Sequence, residues 1–166
     1  MKAIVCGNTV ELPDLTDNQA VYDYVINHLR TQGEQSFTRR VGGKHPGSIK
    51  CLYRSTGKAG GPVCCAVGAL IPDERYSEQF EETGMMPLDE TFEEDYARTE
   101  MLHLAVAGPD LSKVGDSLWE LLKDLQVLHD EYVGCDDPGD PDCFEFHAET
   151  IADDWDLGYT PPEEAA

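Results

Sequence analysis

The chain has 166 residues, 40% of them apolar, and carries 12 Lys/Arg against 33 Asp/Glu for a formal net charge of −21. That length buries a real core within one domain, and no apolar run approaches the roughly 20 residues that cross a bilayer. The opening "MKAIVCGNTVELP" lacks the continuous apolar stretch of a secretory signal, so a cytoplasmic protein with no membrane contact is expected.

The first element is a short hairpin over "KAIVC-GN-TVELP", with Gly7-Asn8 as its expected two-residue turn. "LTDNQAVYDYVINHLRTQG" then reads as a helix. Thr16 or Asp17 caps it, Val21, Tyr24, Val25 and Leu29 form its apolar stripe, and Gly33 ends it. Residues 38–62 are rich in Gly and basic side chains, with "IKCLYR" as a strand candidate. Ser77–Gly84 reads as a turn or two of acidic helix. A further helix is expected within Leu88–Val106, and "GPD" at 108–110 breaks it. The strongest pattern is "DSLWELLKDLQVLHDEY": Leu118, Leu121, Leu122, Leu125, Leu128 and Tyr132 share one face, and charged residues the other. A last helix runs through "FEFHAETIADDWDLG". The sum is α+β, a small N-terminal antiparallel sheet packed against about four helices. One domain is expected over residues 1–157, with an acidic C-terminal tail over 158–166.

The stretch "VCCAVGALIPDERY" (Val63–Tyr76) raises the question of cysteine chemistry. A reactive thiolate needs a cation, a paired histidine or a helix N-terminus, and no histidine lies near Cys64 or Cys65 in sequence. The small and branched residues that follow allow close packing, where a free cysteine behaves as a small hydrophobe. Core packing is the expected role. The chain has six cysteines, Cys6, Cys51, Cys64, Cys65, Cys135 and Cys143. In a reducing compartment an even count does not imply disulfides.

"CLYR…CAVGALIPDERY", preceded by "VYDYVINHL" and followed by "LLKDLQVLHD", resembles a family of small uncharacterised proteins from bacteria and their phages. The resemblance spans roughly residues 19–157 and centres on a "CAVGxLIPDExY" core. It implies a phage or prophage origin and nothing about chemistry. The chain departs from that pattern in its extra acidity around 78–95 and 136–166.

Metal binding has one candidate set: His129, Cys135, Cys143 and His147. Cys143 and His147 stand at i, i+4, so on a helix they face the same way toward a tetrahedral Zn²⁺. The spacing matches no standard zinc motif, and the negative end of the helix dipole explains His129 without a metal. A Cys135–Cys143 disulfide is an alternative, and no cofactor is the default. "DDPGDPDCFE" gathers acids but does not fit the ligand positions of an EF-hand loop.

The charge is unevenly placed. Residues 1–58 hold eight Lys/Arg and five Asp/Glu, a net of +3, whereas residues 59–166 hold four and twenty-eight, a net of −24. The acidic half is excluded from direct contact with nucleic acid. It favours a basic protein partner, with a merely solvated or halophilic surface as the plain alternative. The leading expectation is a non-enzymatic binding protein that inhibits a host nucleic-acid-handling or defence protein by offering a DNA-mimicking carboxylate surface. Candidate contacts are Glu81, Glu82, Glu93, Glu94, Asp95, Asp136, Asp137, Asp153 and Asp154. The second reading is a nucleotide-signal binder using Arg39, Arg40, Lys44 and Arg54 in the basic segment 39–58, although no P-loop frame is present. The third is a zinc- or cysteine-dependent enzyme, for which no catalytic motif stands out.

Overall fold

A computed structural model describes residues 1–39, 49–82, 96–133 and 143–162. The fold is α+β. It opens with the hairpin β1 (Lys2–Val5) and β2 (Asn8–Glu11), followed by α1 (Asn18–Gln32). Four short strands come next, β3 (Phe37–Arg39), β4 (Ile49–Cys51), β5 (Arg54–Thr56) and β6 (Pro62–Cys64). The helices α2 (Tyr96–Ala107), α3 (Asp116–Tyr132) and α4 (Phe144–Asp154) complete it. Among the described residues the strands pair only locally and antiparallel, β1 with β2, β3 with β4 and β5 with β6. The single strand expected over "IKCLYR" is thus divided, with Leu52 and Tyr53 between β4 and β5.

Helix α1 forms for reasons visible in its sequence. The Asp17 carboxylate accepts the backbone N–H groups of Gln19 (3.0 Å) and Ala20 (3.3 Å), two of the donors a helix start leaves unpaired. Gly33 ends it at φ 63°, with its N–H returned to the Leu29 carbonyl at 2.9 Å. Between the caps Val21, Tyr22, Val25, Ile26 and Leu29 are buried. Against them packs α3, whose Leu118, Leu121, Leu122, Leu125 and Leu128 are all inaccessible or nearly so. Full burial of one such side chain contributes about 1.5–3 kcal/mol, so this seam is a large part of the core. Helix α4 adds Ala148 and Ala152, small enough for its backbone to approach. The buried Tyr22 hydroxyl donates to the Ala148 carbonyl at 2.7 Å and joins α1 to α4. On α2 the buried His103 stacks on Trp119 of α3, centroids 3.8 Å apart.

The Val63–Ile71 stretch is buried throughout. Its glycine has a specific cause: a Cβ on Gly68 would stand 2.0 Å from the Tyr53 carbonyl oxygen, so no other residue fits. Cys65 lies fully in the core, and burial pushes its thiol well above the ordinary range. Cys64 packs there too, but it is not a free thiol. It forms a disulfide with Cys6, which the expectation of free cysteines did not provide for.

The hairpin turn also differs from its reading. Val5 pairs with Asn8, so the turn residues are Cys6 and Gly7, at φ 49° and 75°, one position earlier than Gly7-Asn8. A non-glycine residue at positive φ is unfavourable, and here two distant groups hold it. The Asp73 carboxylate accepts both turn N–H groups, and Cys64 holds the Cys6 side chain. At the other end the chain stays docked past the expected boundary at 157. Gly158 donates its N–H to Gln19 at 2.6 Å, and the Tyr159 hydroxyl donates to Glu145 at 2.7 Å.

Candidate functional site

Several carboxylates are absorbed by the fold itself. Arg30 grips Glu145 through Nε at 2.9 Å and a second nitrogen at 2.6 Å, tying α1 to α4. Asp73 takes Arg54 at 2.7 Å, and Lys113 meets Asp110 at 3.1 Å. Glu81, expected on the partner-binding surface, faces inward: it accepts the N–H groups of Tyr53 (2.7 Å) and Arg54 (3.1 Å) and the Tyr76 hydroxyl. Its role is to hold the β4–β5 connection. Glu82 ends the 3-10 turn Glu78–Glu82. Glu93, Glu94, Asp95, Asp136 and Asp137 lie outside the described residues.

Asp153 and Asp154 are different. Both are exposed and sit in the last turn of α4, which contains no basic residue. Like those of Glu131, Glu149 and Asp156, their side chains have no ion-pair or hydrogen-bond partner among the described residues. The arrangement opposes helix energetics twice. A carboxylate at a helix C-terminus meets the negative end of the macrodipole, and Glu149 and Asp153 form a like-charged i, i+4 pair. This face of the molecule therefore keeps anionic side chains at a local cost to the helix that carries them.

Beside these acids, α3 and α4 leave a groove of about 240 Å³. The helices run antiparallel across it. At one end the Trp155 indole N–H donates to Asp124 Oδ2 at 2.9 Å. At the other, Tyr132 stacks on His147 with centroids 3.6 Å apart. Val127, Thr150 and Ile151 line the middle, and Asp154 also lines the groove. Asp124 and the groove were missed in the sequence. The available signal was Val127, an apolar residue off the leucine stripe of α3 and 47% exposed.

The proposed zinc ligands are not brought together as a set. His129 is fully buried, its Nε2 accepts the Ser36 N–H at 2.9 Å, and its Nδ1 lies 2.7 Å from Asp130 Oδ1. The Ser36 donor requires an unprotonated Nε2, so Nδ1 carries the hydrogen toward Asp130 and neither nitrogen is left for a metal. Cys143 is buried at the start of α4, and His147 is stacked on Tyr132. Cys135 lies outside the described residues, but Cys143 is a free cysteine, so the Cys135–Cys143 disulfide expected as an alternative is not formed. Among the described residues no group of three or more His, Cys, Asp or Glu is placed to hold a metal ion.

Of the residues expected to bind a phosphorylated ligand, Arg54 is committed to the fold. It bonds Asp73 and the Ile71 carbonyl, and its guanidinium lies 4.3 Å from the Tyr76 ring centre. Arg39 closes β3 opposite Ile49; Arg40 and Lys44 lie outside the described residues. Among the described residues no helix is long and apolar enough to cross a membrane. No protein-family model, curated protein or solved structure matches the chain.

Proposed function

We propose that this protein is a non-enzymatic binding protein that presents the carboxylates of its α3–α4 face to a basic protein partner, in the manner of a nucleic-acid mimic. The observation that carries the reading is the position of Asp153 and Asp154, exposed and unpartnered in the last turn of α4. Carboxylates kept where they weaken their own helix mark selection for something other than stability. A partner that handles nucleic acid has the complementary basic cleft, and long-range attraction to it speeds encounter. The resemblance to bacterial and phage proteins adds a host defence or nucleic-acid-processing protein as the partner class.

The competing readings have less behind them. Arg54 is occupied within the fold, which removes one ligand from the nucleotide-binding alternative. Burial, together with the neighbouring Asp130 carboxylate, pushes the Cys51 thiol up to about 12, and burial raises Cys65 further. A thiol of that kind is not a thiolate near neutral pH and is a poor nucleophile.

The test is capture of proteins from bacterial lysate by the tagged chain, at low and at high salt, beside the D153N/D154N double variant. A nucleic-acid-handling partner that is released by salt, and bound less well by the variant, is the expected result. Capture indifferent to both salt and variant overturns the reading.

A further inference from the structure

We propose that the α3–α4 groove is a receptor for a single arginine side chain of the protein partner. The inference rests on the binding role proposed above and names the chemical group that the acidic face receives. At about 240 Å³ the groove is smaller than the roughly 300–1,000 Å³ of sites for drug-sized ligands. A single side chain matches that scale.

The chemistry along the groove matches arginine in order. One end is anionic, with Asp124 on α3 and Asp154 at the end of α4 on opposite walls. The two carboxylates are held near each other because Trp155, next to Asp154 in sequence, donates its indole N–H to Asp124. That bond uses Oδ2 of Asp124 and leaves Oδ1 without a partner among the described residues. The middle is apolar, with Val127 and Ile151 as walls. An arginine lays its methylene stem on such a surface while its planar five-donor head reaches acceptors on both sides.

The far end supplies an independent observation. His147 lines the groove, and its Nε2 is buried with no hydrogen-bond partner among the described residues. A buried ring nitrogen without a partner is rare. A backbone group of the segment that carries the arginine pairs with it in either tautomer, an N–H with the bare nitrogen or a carbonyl with the protonated one, at the end of the groove opposite the carboxylates. A second copy of this chain is a poor occupant, because two molecules of net charge −21 repel each other.

The experiment uses the full ¹⁵N-labelled chain titrated with a short capped Gly/Ser peptide carrying one central arginine. Parallel titrations use the same peptide with lysine, or with the neutral isostere citrulline. The expected result is saturable movement of the Val127, Thr150 and Asp154 amide signals by the arginine peptide. Lysine binds several-fold more weakly, and citrulline about tenfold or more, because it lacks the charge that strengthens these hydrogen bonds. D154N, which removes no contact within the fold, weakens binding about tenfold. T150R places a basic side chain in the groove and abolishes the response. Equal binding of citrulline overturns the assignment, and so do shifts spread over every acidic residue or no shift in the groove. If the groove is silent while salt-sensitive capture from lysate persists, only the arginine receptor falls. If capture is salt-indifferent while the groove binds arginine, the broader mimic reading falls instead.

Discussion

Asp73 fixes the turn at Cys6 from 67 residues away, its Oδ1 accepting the Cys6 N–H at 2.8 Å. Oδ2 accepts the Gly7 N–H at 3.0 Å, and Arg54 meets the same carboxylate at 2.7 Å. Burial raises the pKa of this group, but the two backbone donors and Arg54 outweigh it and hold the carboxyl below its ordinary 3.8. A depressed pKa stabilises the fold above the unfolded value, and that contribution is lost as pH falls below 3.8 through the folded value. With solvent screening at this partly exposed site, D73N is expected to cost about 1 kcal/mol at pH 7. Urea unfolding from pH 7 to pH 3 checks it: the gap between wild type and variant narrows toward the acid end. A gap that stays constant with pH contradicts the assignment.

The Cys6–Cys64 disulfide closes a sequence separation of 58. A loop of that length corresponds to about 4 kcal/mol of unfolded-chain entropy, an upper figure because strain and residual structure subtract from it. Thermal melting with and without reductant is expected to show a lower Tm for the reduced protein. C6S/C64S should melt with the reduced form and be insensitive to reductant. Identical melts of wild type in both conditions show that the bridge contributes no stability.

How much of this was legible depends on the range of the forces involved. Helices α1 and α3 could be read closely because their causes are local: the Asp17 cap, Gly33 at φ 63° and a leucine every three or four residues. The hairpin was recognisable, but its turn was misplaced by one residue because Asp73 and Cys64, which select Cys6-Gly7, lie far away in the chain. His129 shows the same limit. A histidine in the last turn of α3 is explained locally by the dipole, whereas its actual donor is the Ser36 N–H, 93 residues distant. Asp153 and Asp154 were singled out by counting charge, which carries no information on where they sit in the fold. The groove was not found, because it exists only in the register between two helices that one-dimensional periodicity does not relate.

Glu145 joins three segments, accepting from Arg30 of α1 and from the Tyr159 hydroxyl while itself part of α4. The Arg30 and Glu145 side chains are 18% and 25% exposed, so solvent competes little with this forked pair. E145A is expected to cost about 2–3 kcal/mol, because it leaves a half-buried guanidinium without its acceptor. E145Q should retain the neutral contacts and lose less. Urea unfolding provides the comparison: a smaller loss in E145Q divides the effect between charge and neutral contacts, whereas equal losses in both variants would assign all of it to the carboxylate charge.

The acids at the end of α4 should separate stability from function. The Asp153 and Asp154 side chains make no hydrogen bond or ion pair among the described residues, so replacing them removes their unfavourable meeting with the helix dipole and the repulsion between Glu149 and Asp153. The dipole effect is about 0.3–1 kcal/mol per charge at low salt. D153N/D154N is therefore expected to raise Tm by a few degrees, about 2–4 °C per kcal/mol for a chain of this size. Added salt should raise the wild-type Tm and narrow the difference, because screening relieves the same repulsion. Partner capture should change in the opposite direction, falling for the more stable variant. A variant that is stabilised and still binds as wild type does would make the two acids a solubility feature. One that loses both stability and binding would assign Asp153 or Asp154 a structural contact.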